Sequence, residues 1–479
     1  MSAPAPSMFT PAANAVAEKL GLKMGRANLD EFAATLEELA KANPNIIAVT
    51  SDSRGSGKLA PFGKAYPKQI VEVGIAEQNL VGITAGLAAC GKKSFGVSPS
   101  CFLTARSLEQ IKNDICYSDV PAVLVGISSG ASYGALGTTH HSLHDLAVLR
   151  AINNLTIIVP SDNFESRQAI LTAAKASKPV FVRFGKAAMY HLHSADARFE
   201  AGRAITLREG DDVAFIATGE TVVHALLAAG HLAERGLKCR VISMHTIKPL
   251  DTEVIIKAGR ECRAIVTVEE HMVHGGLGEA CASVLMQAGV SKPFRIVGIP
   301  DEETVPGAQA DIFRHYGISM EGLSEIALNL LHPIPDDDFL SQFESTAWPY
   351  SEWHHRQHIK VAYLYLRRYP FEQAQIRISE RIRAFNAAKK VPESLTGGYH
   401  ETMTQAWLHL VYFTLCEYGP AENADAFYEQ HPQLWGKKAL RFYYTKERFV
   451  TQEAKAKFLT PDITPFPQSK KSPPKLLPE

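Results

Sequence analysis

Val73-Gly74-Ile75-Ala76-Glu77-Gln78-Asn79 sets one carboxylate between a predicted strand and a predicted helix. The preceding residues 69–73 have the pattern of a short strand, and apolar residues recur at helical spacing from Leu80 to Ala88. Because α/β sheets bind ligands at the carboxyl ends of their strands, we expect Glu77 to lie at a binding site. A buried carboxylate there can share a proton with a bound base. Taken alone, the motif also fits an ordinary strand-to-helix turn with a capping Glu.

Strands alternate with helices through the first part of the chain, in a domain that we place at residues 8–192. The apolar stripe from Leu29 to Ala40 predicts a helix that stops at Asn43-Pro44, and Ile46 to Val49 predicts a buried strand. Further strands are predicted at residues 122–125, 155–159 and 180–183. This alternation favours a mostly parallel, doubly wound sheet that is covered by helices on both faces.

A second domain of the same class is predicted at residues 200–332. Its strands are predicted at residues 213–217, 239–242 and 264–268, and the turn Gly275-Gly276-Leu277-Gly278 leads into a helix at 279–288. A Gly-rich turn can cradle a phosphate, but that signal is weak by itself, so we favour a structural role. The predicted fold class is therefore α/β, with two consecutive doubly wound, mostly parallel-sheet domains.

The last third of the chain differs from these two domains. A linker is predicted at residues 332–338, and residues 345–460 are rich in aromatic residues, Arg and His, with apolar positions at helical spacing. These features predict an all-helical domain of unassigned role. Residues 461–479 carry six prolines and three lysines, which predicts a disordered tail.

Composition excludes several classes of protein. The 479 residues are 46% hydrophobic and 21% charged with a formal net charge of zero, and no long run of Lys and Arg suggests a nucleic-acid partner. No apolar run approaches the ~20 residues that span a bilayer, so no membrane association is expected. The seven cysteines form no Cys-x-x-Cys pair, and residues 1–10 lack the pattern of a secretory signal. We therefore expect a cytoplasmic protein.

Four segments, in this order, resemble the transketolase family of thiamine diphosphate enzymes, specifically its pyrimidine-binding and C-terminal domains. They are Gly25-Arg26, Val73 to Asn79, Thr139-His140, and Glu269-Glu270-His271 with Gly275 to Gly278. In the family, the Glu that matches Glu77 hydrogen-bonds N1′ of the cofactor's aminopyrimidine. The resemblance thus implies thiamine diphosphate as cofactor and Glu77 as a catalytic and cofactor-binding residue.

The resemblance also implies a partner. Single-chain members carry a diphosphate-binding domain with Gly-Asp-Gly and a later Asn, which hold a divalent cation, and this sequence has no such element. The chain is therefore similar to the C-terminal subunit of a split transketolase. A separate N-terminal subunit is expected to hold Mg²⁺ or another divalent cation and the diphosphate. Self-association through the pyrimidine-binding and C-terminal domains would give an α2β2 complex.

Further site residues follow from the resemblance, each at the position of a family motif. His140 matches a His that contacts the ketose hydroxyls and moves protons, a role suited to an imidazole. Asp52 matches an Asp near the thiazolium ring. Arg26, Ser56 and Arg183 match three of the four residues that bind the phosphate of a sugar phosphate substrate, although Arg26 and Arg183 could instead form surface ion pairs.

The sequence also departs from the family pattern, and the departures bear on the substrate. Ser128 stands at the place of the phosphate-binding His, and Leu136 at the place of an Asp that reads the donor's C2 hydroxyl. In the family an aromatic residue stacks on the aminopyrimidine, but the matching position of this sequence does not carry it. Either Phe102 supplies the stacking face after a small loop shift, or Cys101 lines the ring instead. We therefore expect two-carbon transfer from a ketose other than xylulose 5-phosphate, for example a branched one.

A group of histidines in the helical region raises a separate hypothesis. Glu352, His355 and His358 are three residues apart and share a helix face, and with His400 or Glu401 they could hold Zn or Fe. Hydrogen bonds between helices are the more common explanation for such a group.

Two other functions remain open from the sequence. One is a subunit of a related thiamine enzyme, either similar to 1-deoxyxylulose-5-phosphate synthase or decarboxylating a 2-oxoacid. The other is a non-catalytic regulatory protein on a transketolase-like scaffold, which the altered residues Ser128 and Leu136 would suit. Retention of Glu77 and His140 argues against the scaffold, because a buried carboxylate without a function costs stability.

Overall fold

The computed structural model describes residues 7–194, 196–302, 304–305, 307–332, 334–350, 353–395, 397–435, 437–471 and 475–477. The chain divides into two compact units, Met1–Pro333 and Ile334–Glu479. The first unit holds two α/β domains in succession, and the second is helical. No helix in the described part of the chain is long and apolar enough to cross a membrane.

The first domain is built on eight strands. They are β1 (Met24–Ala27), β2 (Ile46–Thr50), β3 (Ile70–Glu72), β4 (Lys93–Pro99), β5 (Val123–Ile127), β6 (Thr156–Ile158), β7 (Val180–Arg183) and β8 (Ala188–Tyr190). Strands β3, β2, β4, β5, β7 and β6 lie side by side in that order and all pair in parallel, while β1 and β8 form a separate antiparallel pair. The predicted parallel sheet is confirmed.

Helices cover both faces of this sheet. They are α2 (Asn28–Ala42), α3 (Ala60–Ala65), α4 (Glu77–Ala89), α5 (Ser100–Arg106), α6 (Leu108–Gln110), α7 (Asp145–Arg150) and α8 (Asn163–Lys175), with a π-helical turn at Ile111–Tyr117 and a 3-10 turn at Gly134–Leu136. The preceding helix, α1 (Pro11–Lys19), packs instead on the helix Thr221–Ala233 of the second domain. Helix α2 buries Leu29, Phe32 and Leu36, which belong to the apolar stripe of the sequence. Its C-cap is Asn43, directly before Pro44, as predicted.

The second domain repeats this arrangement with six strands. They are β9 (Ile205–Arg208), β10 (Val213–Ala217), β11 (Cys239–Ser243), β12 (Thr246–Lys248), β13 (Ala264–Met272) and β14 (Phe294–Ile299). Strands β14, β13, β10 and β11 pair in parallel, and β9 pairs antiparallel with β11 at the edge. Strand β12 instead joins the first domain's sheet, antiparallel to β6. The two domains therefore share a sheet edge, which the sequence pattern did not predict.

The described residues of the second domain contain five helices. They are α9 (Thr221–Ala233), α10 (Thr252–Glu261), α11 (Leu277–Gln287), α12 (Gln309–His315) and α13 (Met320–Leu331). All but two residues of α9 are buried, which agrees with its unbroken apolar sequence.

A buried charged cluster joins the two α/β domains. Arg183 Nε donates to Asp145 Oδ2 at 2.9 Å, and Arg183 Nη2 donates to the Ser142 and Glu270 carbonyls at 3.0 and 2.9 Å. The hydroxyls of Ser100 and Ser142 also donate to Asp145 Oδ2. Despite burial, the Arg183 charge and these donors hold the pKa of Asp145 below its usual value. Arg183 thereby fixes the end of β7 to the loop before α7 and to β13.

Two further carboxyl groups lie beside this cluster. Glu270 Oε1 accepts from the Ala131 backbone N–H at 2.8 Å and from Gln309 Nε2 at 2.7 Å, and burial raises its pKa to about 7. Burial and the neighbouring Glu270 raise the pKa of Glu220 well above its usual value. Gly130 has a φ of +63°, and a Cβ there would lie 2.2 Å from the Glu270 carboxyl carbon. Only glycine therefore allows this close approach.

The second unit is helical, as the sequence predicts, but its first helix begins at Asp336, inside the predicted linker 332–338 and before the predicted start of the helical domain at residue 345. Its helices are α14 (Asp336–Glu344), α15 (His355–Arg368), α16 (Phe371–Ala388), α17 (Glu401–Tyr418), α18 (Ala424–Gln430), α19 (Lys446–Phe449) and α20 (Gln452–Ala456), with 3-10 turns at Pro432–Leu434 and Lys437–Phe442. Its core includes the ring stack of Trp353 on Phe343, whose centroids are 4.8 Å apart, with Phe385 4.6 Å from Trp353.

The proline-rich tail, for which the sequence predicts disorder, makes specific contacts within this unit. Ser469 Oγ donates to Glu417 Oε2 at 2.9 Å, and the Leu477 backbone N–H donates to the Arg367 carbonyl at 2.7 Å. Phe466 packs on His409 at a centroid distance of 5.0 Å. A hydrophobic residue among the prolines thus gives the tail an apolar anchor.

Replacing Arg183 with Leu should lower the free energy of unfolding of the first unit by about 3–5 kcal/mol, because Asp145 would remain buried without its cation. Urea unfolding followed by circular dichroism measures this change. The matched control is Arg167→Leu, which breaks an exposed ion pair with Glu38 and should cost less than about 1 kcal/mol. Equal losses in the two variants would contradict the structural role of Arg183.

Candidate active site

Glu77 is the first residue of α4 and lies at the carboxyl edge of the first sheet. The chain leaves β3, turns at Gly74 with a φ of +70°, and enters the helix at Glu77. The side chain of Glu77 is only 4% exposed. The sequence therefore predicted both the position of this carboxylate at the strand-to-helix junction and its burial.

Arg106, the last residue of α5, binds both carboxylate oxygens of Glu77. Its Nη1 lies 3.0 Å from Oε1 and 2.9 Å from Oε2. The guanidinium carbon also lies 4.3 Å from the centroid of the Phe102 ring. A planar cation thus lies between a buried carboxylate and an aromatic face, although the Arg106 side chain is itself about half exposed (48%).

A row of aromatic rings extends from this pair. The rings of Phe102 and His140 meet edge to face at 5.3 Å, and His140 meets Tyr133 in the same way at 5.5 Å. The Thr139 hydroxyl lies 3.0 Å from His140 Nδ1. Glu77 and His140, for which the sequence predicts catalytic roles, are therefore joined through Arg106 and Phe102 at one end of the sheet.

The far end of the row carries hydroxyls and a cation. Ser56 and Ser128 lie beside the Tyr133 phenol and lower its pKa, although burial has the larger effect and raises it. The Ser128 hydroxyl, in a residue with a φ of +53°, is buried and makes no hydrogen bond of normal geometry within the described residues. Lys186 Nζ lies 4.7 Å from the centroid of the Tyr133 ring.

Lys186 is an exposed residue whose ammonium group lies over the Tyr133 ring. Burial and the charge of the nearby Lys58 both lower its pKa. Among the described residues, no carboxylate lies within ion-pair distance of Lys186. A cation without a counterion over the ring of Tyr133, whose phenol lies beside the hydroxyls of Ser56 and Ser128, is suited to an anion.

The two arginines predicted to bind phosphate have protein partners instead. The side chain of Arg26 donates to Glu31 Oε2 from both Nε and Nη2. Arg183 is buried in the cluster with Asp145, where its Nε and Nη2 bind protein oxygens. Both guanidinium groups therefore already bind protein oxygens, and the phosphate-binding role of Arg26 and Arg183 stays a prediction.

The remaining predicted residues lie at the same edge of the sheet. Asp52 follows β2 with a φ of +53°, and its backbone N–H donates to Glu72 Oε1 at 2.7 Å. Cys101 is buried in α5, and burial raises the pKa of its thiol to about 11. Leu136 is 56% exposed on the 3-10 turn that precedes His140. The buried thiol and the half-exposed ring make Phe102 the more accessible of the two candidates for stacking.

The Gly-rich turn before α11 binds a side chain of the protein itself. The backbone N–H groups of Leu277 and Gly278 donate to the Glu269 carboxylate at 2.7 and 2.8 Å. Burial raises the pKa of Glu269 to about 7. An internal carboxylate thus fills the place where a phosphate would sit, in agreement with the structural role that we favoured.

The histidines of the helical unit have other partners. His355 Nε2 lies 2.8 Å from the Leu434 carbonyl, and His400 Nε2 lies 3.1 Å from the Phe449 carbonyl. His358 packs on the ring of Trp353. The described residues contain no group of three or more His, Cys, Asp and Glu placed to hold a metal ion, and Glu352 lies outside the described residues. The interhelical interpretation fits these contacts.

Three residues of the site were not predicted from the sequence: Arg106, Tyr133 and Lys186. Arg106 lies 29 residues from Glu77 along the chain, and Tyr133 occupies a loop without a distinctive motif. Lys186 follows Arg183 by one short turn, and this proximity of two cations after a buried strand was the available signal.

Two family models match the chain. The transketolase pyrimidine-binding domain matches residues 26–190, and the transketolase C-terminal domain matches residues 202–323. These ranges correspond to the two α/β domains.

Several curated relatives match the same region. An apulose-4-phosphate transketolase subunit of Phocaeicola vulgatus is 48% identical over 301 residues, which cover 63% of this chain and 96% of the relative. The subunit of the same name from Actinobacillus succinogenes is 38% identical, with 60% and 94% covered. The 1-deoxy-D-xylulose-5-phosphate synthase of Thermomicrobium roseum is 38% identical, but the match covers only 48% of that enzyme.

Solved structures give the same result. A split-gene transketolase, described as an inactive beta4 tetramer, superposes with a TM-score of 0.58 at 34% identity and covers 64% of this chain and 98% of its own. The transketolase of Leishmania mexicana, at 20% identity and a TM-score of 0.54, shows the fold alone. The chain therefore belongs to the transketolase family, in which it resembles the subunit of split transketolases that carries the pyrimidine-binding and C-terminal domains.

Proposed function

We propose that this chain is the C-terminal subunit of a thiamine diphosphate-dependent split transketolase, which transfers a two-carbon ketol unit from a ketose donor to an aldose acceptor. The proposal rests on the space between the Glu77 carboxylate and the Phe102 ring, which Arg106 occupies. A buried carboxylate and an aromatic face there enclose a flat, donor-bearing group, as an aminopyrimidine site requires. Similarity to split transketolase subunits supports the same conclusion.

The residues present fit the aminopyrimidine. The guanidinium of Arg106 is planar, stacks on Phe102 and donates to both oxygens of Glu77. An aminopyrimidine is also planar and also offers nitrogen to a carboxylate, so Arg106 occupies the place that the cofactor's ring would take. We propose that Arg106 leaves Glu77 when the cofactor binds, and its half-exposed side chain has solvent into which it can move.

The chain's own residues then have separate tasks. Glu77 holds a proton at the pyrimidine ring, and Phe102 orients that ring by stacking. Bound thiamine diphosphate supplies the electron sink for cleavage beside the ketose carbonyl. His140, which contacts Phe102 on one side and Tyr133 on the other, is placed to hydrogen-bond substrate hydroxyls and to move a proton there.

We propose that the substrate's phosphate binds at Lys186, Tyr133, Ser56 and Ser128 rather than at Arg26 and Arg183. Within the described residues this group offers a cation without a counterion and hydroxyl donors, whereas both arginines already bind protein oxygens. The absence of a carboxylate at Leu136 supports a donor other than xylulose 5-phosphate. Relatives named for apulose 4-phosphate make a ketose phosphate of that kind the first substrate to examine.

A separate subunit completes the proposed enzyme. We propose that it contributes the contacts to the diphosphate and the divalent cation, since the sequence contains no Gly-Asp-Gly element for them. Two copies of each chain would then form an α2β2 complex in the cytoplasm.

A related thiamine enzyme is the second candidate, because 1-deoxy-D-xylulose-5-phosphate synthase also matches both α/β domains. Decarboxylation of a 2-oxoacid releases CO₂, and ketol transfer does not. Incubating the reconstituted complex with pyruvate and glyceraldehyde 3-phosphate, and separately with a ketose phosphate and an aldose, distinguishes the two reactions by the product formed.

The substitution Glu77→Gln should lower kcat of the reconstituted complex by at least about 100-fold, because a correctly placed acid or base contributes about 10²–10⁴ to such rates. The chain would be mixed with the candidate diphosphate-binding subunit, thiamine diphosphate and Mg²⁺, and cofactor retained after gel filtration would be measured with turnover. Glu109→Gln, an exposed carboxylate near the same site, is the control. Near-full turnover by Glu77→Gln would rule out the proposed mechanism.

The substitution Arg106→Met should strengthen thiamine diphosphate binding by the complex about two- to fivefold, because a half-exposed ion pair worth up to about 1 kcal/mol would no longer compete for Glu77. Isothermal titration of cofactor into the complex measures this, with Arg167→Met as a remote control. Weaker binding in Arg106→Met would mean that Arg106 holds the cofactor instead of competing with it.

The substitution Lys186→Met should raise the KM for the ketose phosphate at least about tenfold, as expected when a charge-assisted hydrogen bond is lost. The KM for the same ketose without phosphate should not change. Arg26→Met is the matched variant and should have a smaller effect, because Arg26 is paired with Glu31. A larger increase in KM for Arg26→Met than for Lys186→Met would instead support phosphate binding by the arginines.

A further inference from the structure

The helical unit contains a cavity of about 480 Å³ that lies outside both α/β domains. One wall is formed by Phe371 of α16 and by the exposed side of α17. The other wall is the segment 458–471, which includes the proline-rich tail. The volume lies within the range of about 300–1,000 Å³ that is typical of small-molecule sites.

Aromatic rings dominate this cavity. Six line it, and none is fully buried: Phe371, His409, Tyr412, Phe413, Phe458 and Phe466. Leaving so much ring surface in contact with water costs roughly 25 cal/mol for each Å². Contiguous apolar surface of this kind is characteristic of ligand-binding grooves and interaction sites.

His409 lies at the centre of these rings. Its ring centroid is 4.8 Å from that of Phe371, 5.6 Å from Phe458 and 5.0 Å from Phe466. The Phe458 and Phe466 planes are within 24° and 12° of the imidazole plane. Burial lowers the pKa of His409, so that the ring is neutral at pH 7. It therefore offers one donor and one acceptor, and no hydrogen bond to His409 is found within the described part of the chain.

Charges at the rim of the cavity neutralise each other. Lys471 Nζ lies 2.9 Å from Glu417 Oε1 and donates to the Glu417 carbonyl at 2.6 Å. Ser469 Oγ donates to the other oxygen of the same carboxylate. The cavity thus presents stacking surfaces and a neutral imidazole, and the charge that lines it, Lys471, is already paired.

We propose that this cavity binds an uncharged, planar heteroaromatic ring, which stacks on the aromatic walls and hydrogen-bonds with His409. Stacking surfaces accept any flat ring, and the imidazole selects rings that carry nitrogen or oxygen. A small molecule bound here would hold the tail segment against α17, because the two walls belong to these two parts of the chain.

The test uses the full-length chain and a defined set of probes: adenine, nicotinamide and indole, with cyclohexanol as the non-aromatic match. Saturation-transfer NMR should show binding of at least one ring and none of cyclohexanol. His409→Leu should weaken binding about fivefold or more, as expected when a hydrogen bond is lost. Leu395→Ala alters an exposed residue of the helical unit that does not line the cavity and should leave binding unchanged.

A second variant, Phe466→Ala, removes a wall on the tail segment and should also weaken binding, so that the result does not depend on the folding of one variant. A probe signal that is lost in Glu77→Gln would come from the candidate active site and not from the cavity. Equal signals from cyclohexanol and the rings, or ring binding that both His409→Leu and Phe466→Ala retain, would overturn the proposal.

Discussion

The buried ion pair of Arg183 and Asp145 is the interaction around which the first unit is arranged. Arg183 ends a central strand, Asp145 begins a helix of the same domain, and the guanidinium also binds a carbonyl of β13 in the second domain. Burial of both charges is tolerated because each polar contact is made in the interior, with Ser100 and Ser142 completing the shell of Asp145. This arrangement fixes the loop between β5 and α7, which carries Ser128, Tyr133 and His140.

The loop between β5 and α7 gives the candidate site two ends with different chemical groups. At one end, Glu77 and Phe102 enclose a flat space for a ring that donates nitrogen hydrogen bonds. At the other, Lys186 and the two serines lie around Tyr133, where we propose that the phosphate binds. His140 lies between them, in ring contact with both Phe102 and Tyr133. Under the proposed function, a donor that binds with its phosphate at Lys186 would extend its reacting carbon toward Glu77, which is the order that ketol transfer requires.

The helical unit differs from the α/β domains in the side chains that fill its core. Its core is built from large aromatic side chains, such as the stacked pair Phe343 and Trp353. The tail is held against this core, because Phe466 and the Glu417 contacts anchor the proline-rich segment to α17. Aromatic residues that remain half-exposed beside this anchor form the cavity around His409, so the same segment that shields the core also shapes a binding surface.

The sequence by itself determined the class of each domain and the place of Glu77, because period and strand-helix alternation are local properties of the chain. The strands at 180–183 and 213–217 agree residue for residue with the structure. It also indicated His140, whose neighbours carry a family motif. Tertiary structure alone decided which charged groups are free. Arg26 and Arg183 are paired with Glu31 and Asp145, whereas Lys186 is not paired with a carboxylate among the described residues. Pairing depends on contacts between residues far apart in the chain, and neither composition nor spacing records them.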